Sequence, residues 1–313
     1  MRKMRHVIVC SVCSLLILLV SAPITPAQTV TVPDETVRWD GQSPFNVLVL
    51  GMDRRPGARD TLNVRTDVVM IARFDPVNQR VGILDIPRDI HMALLNRAEQ
   101  LVRVNTLLVE GEAIATGYGP YFAMETLQLN LGMYIDGYIV FDFEAFTTFV
   151  DAIGGVTVNN PVLINDRAFP NMNYGFDPFY LPSGTHHLNG YDALRFARTR
   201  HGDNDYARGQ RQLEVVAGVY RQLQDPIVLA TLVRDLPTLI NTLDRNFYSN
   251  IAPDQLLLLG LSIMELPPNS LYMGSMNTDY SFTFIYRGAQ VQVPDRNTMS
   301  ELLVATFGAD YWR

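Results

Sequence analysis

Three short apolar runs between residues 45 and 86 constrain this chain more than any other feature. Residues 45–50 read FNVLVL, residues 67–74 DVVMIARF and residues 80–86 RVGILDI. Each is rich in Val, Ile or Leu and is bounded by turn formers, the pattern of a buried strand. Asp75-Pro76-Val77-Asn78 is a turn between the second and third. The polar loop RRPGARDTLNVR, with Pro56 and Gly57 as turn signals, lies between the first and second. Run as an antiparallel meander, the three strands bring the end of the first, the start of the second and the end of the third to one sheet edge. That edge carries Asp53, Asp67 and Arg88. Two carboxylates and an arginine together suit a metal ion with a phosphate. Taken singly, each aspartate also fits a turn or strand cap, and the arginine a surface ion pair.

The remaining pattern alternates helix and strand. Residues 121–131 and 143–153 have helical character, the second stopping at Gly154-Gly155. Residues 101–105 (LVRVN) place Arg103 in a short extended or turn segment. Residues 137–141 (GYIVF) are a fourth strand and residue 156 begins a short fifth. Residues 159–184, rich in Asn, Pro and aromatics, read as a long loop, which in a compact domain is often a binding segment. His186 and His187 lack a third ligand at helical or hairpin spacing and read as part of a solvated loop. After residue 224 come helical stretches at 226–243, 253–264 and 299–307 and strands near 282–286 and 291–293, with no chemistry of their own.

Residues 191–212, YDALRFARTRHGDNDYARGQRQ, hold Arg195, Arg198, Arg200, Arg208 and Arg211, with Asp203 and Asp205 among them. The chain as a whole is acidic, with 25 Lys+Arg against 32 Asp+Glu. A local arginine cluster in such a chain points to a gripped anion, for which the planar guanidinium fork suits phosphate or pyrophosphate. Residues 205–223 form the better helix, with Leu213, Val216, Tyr220 and Leu223 as its apolar stripe. At about 100° per residue, Asp205 and Gln212 fall on the rim of that stripe and Arg208 a little further out. Arg211 points away and is expected in solvent. Arg198 and Arg200 share a face only if the chain there is extended or at a helix end. Ion pairing with neighbouring aspartates is the structural alternative.

The acidic balance, with a sequence pI near 5.2, argues against nucleic acid as the main partner. Arg2, Lys3, Arg5 and His6 precede an apolar run over residues 7–20 and then SAPITPAQ, the three-part pattern of export. Residues 1–27 are therefore a cleaved signal peptide or a retained anchor, and residues 28–44 a polar linker to a domain outside the cell. Both cysteines, Cys10 and Cys13, lie in the apolar run, so the exported part has no disulfide.

The chain resembles the LytR-CpsA-Psr family of cell-wall glycopolymer transferases. The resemblance rests on NVLVLGMD (46–53), RTD (65–67), IPRD (86–89), RVN (103–105), VDAIGGV (150–156), L-x-G-x-x-ALRFAR-x-R (188–200) and DYARGQRQ (205–212), in family order. It implies an α/β (α+β) fold, a mixed and largely antiparallel sheet flanked by helices, with an apolar tunnel for lipid. The catalytic core would span residues 45–224, with residues 225–313 as an extension packed on it. The implied reaction moves a glycan with one phosphate from a polyprenyl-pyrophosphate carrier to a peptidoglycan hydroxyl at the membrane, with pyrophosphatase as a side activity. Asp53 and Asp67 would hold Mg²⁺. Arg88, Arg103, Arg198, Arg200, Arg208 and Gln212 would bind the pyrophosphate, and Arg88, Arg208 and Asp205 would be catalytic.

Some residues depart from the family pattern. Arg103 stands where the family commonly has Lys, and Asp85 replaces a small polar residue before IPRD. Gly117-Tyr118-Gly119-Pro120 replaces a glycine pair, which bears on glycan and acceptor preference. The alternative function is a non-catalytic binder of lipid-linked glycan or an envelope regulator, which would need the arginines and not the aspartates. A secreted phosphatase or nuclease fits less well, for want of dense His/Asp clusters.

Overall fold

The computed structural model describes residues 31–33, 36–55, 61–94, 97–171, 175–200, 205–243 and 245–312. Residues 1–27, expected from the sequence to direct export, and Pro56, Gly57 and Asp203 lie outside them. Strands β1 (Phe45–Met52), β2 (Thr66–Asp75) and β3 (Arg80–Asp85) come first, then the hairpin β4 (His91–Leu94) and β5 (Arg97–Arg103). Helices α1 (Leu107–Ile114) and α2 (Gly119–Leu131), strand β6 (Gly137–Phe141), helix α3 (Phe143–Ala152) and strand β7 (Val156–Asn160) follow. Next are β8 (Ile164–Asp166), β9 (Phe179–Leu181) and β10 (Gly184–Leu188), then helices α4 (Gly190–Arg198), α5 (Asp205–Leu223) and α6 (Pro226–Leu243). The chain continues through β11 (Phe247–Ser249), α7 (Pro253–Met264), β12 (Leu271–Ser275), the hairpin β13 (Ser281–Tyr286) and β14 (Ala289–Pro294), and α8 (Met299–Phe307).

The central sheet has the order β11-β6-β1-β2-β3-β12. β1, β2 and β3 form the antiparallel meander that their sequence predicts. β11 pairs antiparallel with β6, while β6 and β12 run parallel to β1 and β3. The sheet is thus mixed and mainly antiparallel, and helices cover both faces. Alternation along β1 divides its side chains between two cores. Leu48 and Leu50 join α1, α2 and α8 residues such as Leu108, Leu127 and Phe307 on one face. Val47 and Val49 join Leu213 and Tyr220 of α5 and Leu259 of α7 on the other. A third core gathers Val150, Val156, Phe169, Phe179, Phe196 and Val215 beside the sheet.

Two expectations change. Residues 225–313 are integral to the sheet rather than packed on it, because β11 and β12 are its two edge strands. Residues 159–184 are not a structureless loop. They carry the β8–β9 hairpin, whose Ile164, Phe179 and Leu181 are buried in the third core. His186 and His187 lie on the following strand, β10, and their rings meet the carbonyls of Pro182 at 2.9 Å and Gly154 at 2.8 Å.

Candidate active site

The meander delivers Asp53, Asp67 and Arg88 to one end of the sheet. Asp67 is the extra residue of a β-bulge: Gly51 pairs with Val68 and Met52 with Thr66, leaving Asp67 between. A bulge turns a side chain out of the regular alternation, and here it turns a carboxylate toward Arg88. Arg88 Nη1 donates to Asp67 Oδ1 at 2.6 Å, and its Nε donates to Asp205 Oδ2 at 3.3 Å. Asp53 follows β1 and its amide is held by the Arg65 carbonyl at 3.0 Å.

The arginine stretch folds as two helices meeting at this edge. α4 is capped by Asn189, whose side chain accepts from the Asp192 amide, and ends at Arg198, where Thr199 leaves the helix. Arg198 and Arg200 therefore sit at a helix end, as their joint use requires. Arg198 Nη2 lies 3.9 Å from Asp53 Oδ1, and the guanidinium stacks on Phe143 at 4.0 Å and Phe169 at 5.7 Å. α5 starts at Asp205. Its carboxylate accepts from Arg208 Nη2 at 3.2 Å and lies 3.8 Å from Arg200 Nε. Burial works to raise the Asp205 pKa, but Arg208, Arg88 and Arg200 outweigh it and hold the carboxyl below its ordinary value.

The cations outnumber what the carboxylates can satisfy. Arg208 is 4% exposed, yet its Nε and Nη1 are buried with no hydrogen-bond partner among the described residues. Arg198 Nη1 is in the same condition. Burial pushes both guanidinium pKa values below the usual arginine range despite their aspartate neighbours. Buried polar groups are nearly always paired, so several orphaned N–H donors converging on one place point to an anion that completes them.

A cavity of about 110 Å³ adjoins these donors. Asp67, Arg198, Arg208 and Gln212 line it together with Val49, Met70, Phe146, Leu194 and Val216. Its wall is thus mostly apolar, with a few charged and polar side chains among the apolar ones. Gln212 is buried and donates weakly to the Ala197 carbonyl at 3.4 Å. Arg103 is half exposed on the rim, 3.5 Å from Asp89, which itself lies 3.7 Å from Arg88.

Arg211 contradicts its expected place. It is buried, not solvated: Nε donates to the Phe196 carbonyl at 3.1 Å and Nη2 to the Thr199 carbonyl. Helix phase set it opposite the apolar stripe, but α4 packs there and presents the free carbonyls of its C-terminus to a cation. Three further contributors were missed. Asp89 links Arg88 to Arg103, and the IPRD segment already offered it beside Arg88. Phe143 and Phe169 support Arg198 from distant elements, so local sequence carries no signal for them.

Among the described residues no cluster of three or more His, Cys, Asp or Glu is preassembled for a metal. Asp53, with a nearly half-exposed carboxylate, and Asp67 on its bulge are the donors at hand. Two carboxylates beside orphaned phosphate-type donors suit Mg²⁺, which usually takes one or two carboxylates and completes its shell with water and substrate phosphate. The residues present fit such an ion.

The sequence profile described as the LytR_cpsA_psr family matches residues 22–306. The chain belongs to that family. Over 185 residues it is 31% identical to the polyisoprenyl-teichoic acid–peptidoglycan teichoic acid transferase TagU of Halalkalibacterium halodurans, covering 58% of this chain and 54% of that one. Over 227 residues it is 29% identical to the regulatory protein MsrR of Staphylococcus aureus, covering 72% and 62%. The chain thus spans about half to three-fifths of the length of these two relatives. Among family structures, B. subtilis TagV aligns with a TM-score of 0.65 at 21% identity, covering 83% of this chain and 94% of that one. TagT bound to LIIa-WTA aligns with a TM-score of 0.65 at 21% identity, covering 87% and 95%. These likenesses establish the mixed sheet flanked by helices as the family fold.

Proposed function

We propose that the chain is an extracytoplasmic transferase that moves a glycopolymer, with one phosphate, from a polyprenyl-pyrophosphate carrier to a peptidoglycan hydroxyl. The observation that carries this reading is the set of orphaned, buried N–H donors on Arg198 and Arg208, two residues that line a largely apolar cavity. A lipid pyrophosphate is anionic at one end and apolar at the other, and the two halves of this site match it. The kinship with TagU, a teichoic acid transferase by name, supports the same class. The cavity would take the part of the lipid next to the phosphates.

Arg88, Arg198, Arg200 and Arg208 grip the pyrophosphate oxygens, with Arg103 at the rim. Asp205 holds Arg88 and Arg208 in register, and Gln212 closes the cavity wall behind them. Asp53 and Asp67 would hold a Mg²⁺ ion, which when bound would supply charge neutralisation on the phosphates. The acceptor hydroxyl attacks the glycan-side phosphorus. The new P–O bond forms as the bridging P–O bond breaks, polyprenyl monophosphate leaves, and the hydroxyl proton passes to solvent. Fixed guanidinium charge shelters the developing negative charge without reorganisation.

The test is a transfer assay with a polyprenyl-pyrophosphate saccharide, Mg²⁺ and peptidoglycan fragments. It should release polyprenyl monophosphate and join the saccharide phosphate to the acceptor. Chelation should abolish both. Tight binding of the lipid by wild-type protein, without release under any divalent cation, would overturn the enzyme and leave a binder of lipid-linked glycan.

A further inference from the structure

The β13–β14 hairpin is a second apolar surface that the transfer reaction does not use. Its turn is Arg287-Gly288, both with positive φ, the geometry of a tight hairpin. β13 reads SFTFIY. Phe282, Phe284 and Tyr286 form a ring ladder along one face, with centroids 6.0 and 6.5 Å apart. Phe282 is 49% exposed, Phe284 37% and Ile285, on the opposite face, 68%. The strand is therefore apolar on both faces toward its tip. Folded soluble proteins seldom display such a patch without a partner.

The surroundings indicate which partner. Tyr286 is anchored through its hydroxyl, which donates to the Glu99 carbonyl at 2.8 Å, so the ladder is held rather than free to collapse inward. Arg287 lies over the Tyr286 ring at 5.2 Å, placing a cation at the tip beside the aromatic strip. Arg97, also exposed, lies two residues from Glu99 on β5. Aromatic and aliphatic side chains ending in tyrosine and arginine match the interface of a bilayer, where rings sit at headgroup level and guanidinium meets phosphate. The apolar run over residues 7–20 ends eleven residues before the first described residue, a span of at most about 40 Å.

The hairpin also stands beside the active-site mouth. Gln292 of β14 donates to the Tyr206 hydroxyl, next to Asp205, and bridges to Ile90, two residues past Arg88. We infer that the β13–β14 hairpin docks on a lipid bilayer, with Phe282, Phe284 and Ile285 in the interface and Arg287 among lipid phosphates. Docked this way, it holds the arginine cluster at headgroup height. That consequence rests on the lipid-pyrophosphate reading of the mouth; the docking does not.

The test uses full-length protein reconstituted in phosphatidylglycerol–phosphatidylcholine vesicles that contain no pyrophosphate lipid, so its outcome is independent of the transfer reaction. Phe284→Trp reports the hairpin. Val77→Trp reports the exposed β2–β3 turn at the opposite end of the sheet. The wild-type signal of Trp39 and Trp312 is subtracted. With acyl-chain-brominated lipid, the Phe284→Trp emission should fall about twofold or more while the Val77→Trp emission stays constant. No quenching at position 284, or equal quenching at both positions, overturns the proposal. Emission at position 284 that is unquenched but changes with protein concentration assigns the surface to a second copy of the chain and also overturns it.

Discussion

Two buried arginines near one end of the sheet are built in opposite ways. Arg54, just after β1, is 4% exposed and its donors are spoken for: Nε bonds Asp142 at 2.9 Å, Nη1 the Tyr248 hydroxyl at 3.1 Å, and Nη2 the Arg245 carbonyl. Arg208 is equally buried, yet it has Asp205 at 3.2 Å and two orphaned nitrogens. Both guanidiniums bear the cost of desolvation. Only around Arg54 does the protein itself offset that cost in full. A buried cation with its donors satisfied ties elements of the fold together. One with donors left over is poised for a ligand that the chain does not contain.

Substitution separates the two roles, and the largest effect falls at the ligand-facing site. Arg208→Ala should lower transfer by about 10³-fold or more, the scale of an arginine stabilising phosphoryl transfer. Its thermal midpoint should stay level or rise, since a buried cation with two unpartnered nitrogens is removed while Asp205 keeps Arg88 and Arg200. Arg54→Ala should reverse that pattern. It strands the buried Asp142 carboxylate, and urea unfolding should show a loss of about 3–5 kcal/mol.

A smaller effect comes from Asp85, buried at the end of β3, where the Ser275 hydroxyl donates to it at 2.8 Å. Burial raises its pKa to about 6, against the pull of Ser275 and Arg208. The folded protein thus holds a proton here that the unfolded chain has released, and stability falls as pH rises from about 4 to about 6. Asp85→Asn should remove that slope. It should stabilise the protein by about 1–3 kcal/mol above pH 7, with no gain near pH 4, measured by unfolding across pH. The smallest effect belongs to Arg103, half exposed and paired with Asp89. Arg103→Ala should raise KM less than about tenfold with kcat unchanged, as expected of a screened rim charge.

The site was legible where local pattern determines geometry. Short Val-, Ile- and Leu-rich runs and the Asp75–Asn78 turn indicate the meander, and the meander brings Asp53, Asp67 and Arg88 to one end of the sheet. The helix phase placed Asp205, Arg208 and Gln212 beside the core. It failed for Arg211 because phase describes one helix, and the carbonyls that capture Arg211 belong to α4. The bulge at Asp67 depends on register with Gly51 and Met52, which neither strand specifies alone. The edge strands β11 and β12 are three and five residues long and partly exposed, too weak a signal to mark them as parts of the sheet. The rings beneath Arg198 come from α3 and the β8–β9 hairpin, contacts that exist only after folding.

The contrast between Arg54 and Arg208 is tested most directly by calorimetric titration of geranylgeranyl pyrophosphate into the full-length protein with Mg²⁺. Wild type and Arg54→Lys should each bind one equivalent, and geranylgeranyl monophosphate should bind far more weakly. Arg208→Ala should weaken pyrophosphate binding by about 100-fold or more, the worth of two charge-assisted hydrogen bonds. Equal affinity in wild type and Arg208→Ala, or equal affinity for the monophosphate, would contradict the assignment of the orphaned donors to pyrophosphate.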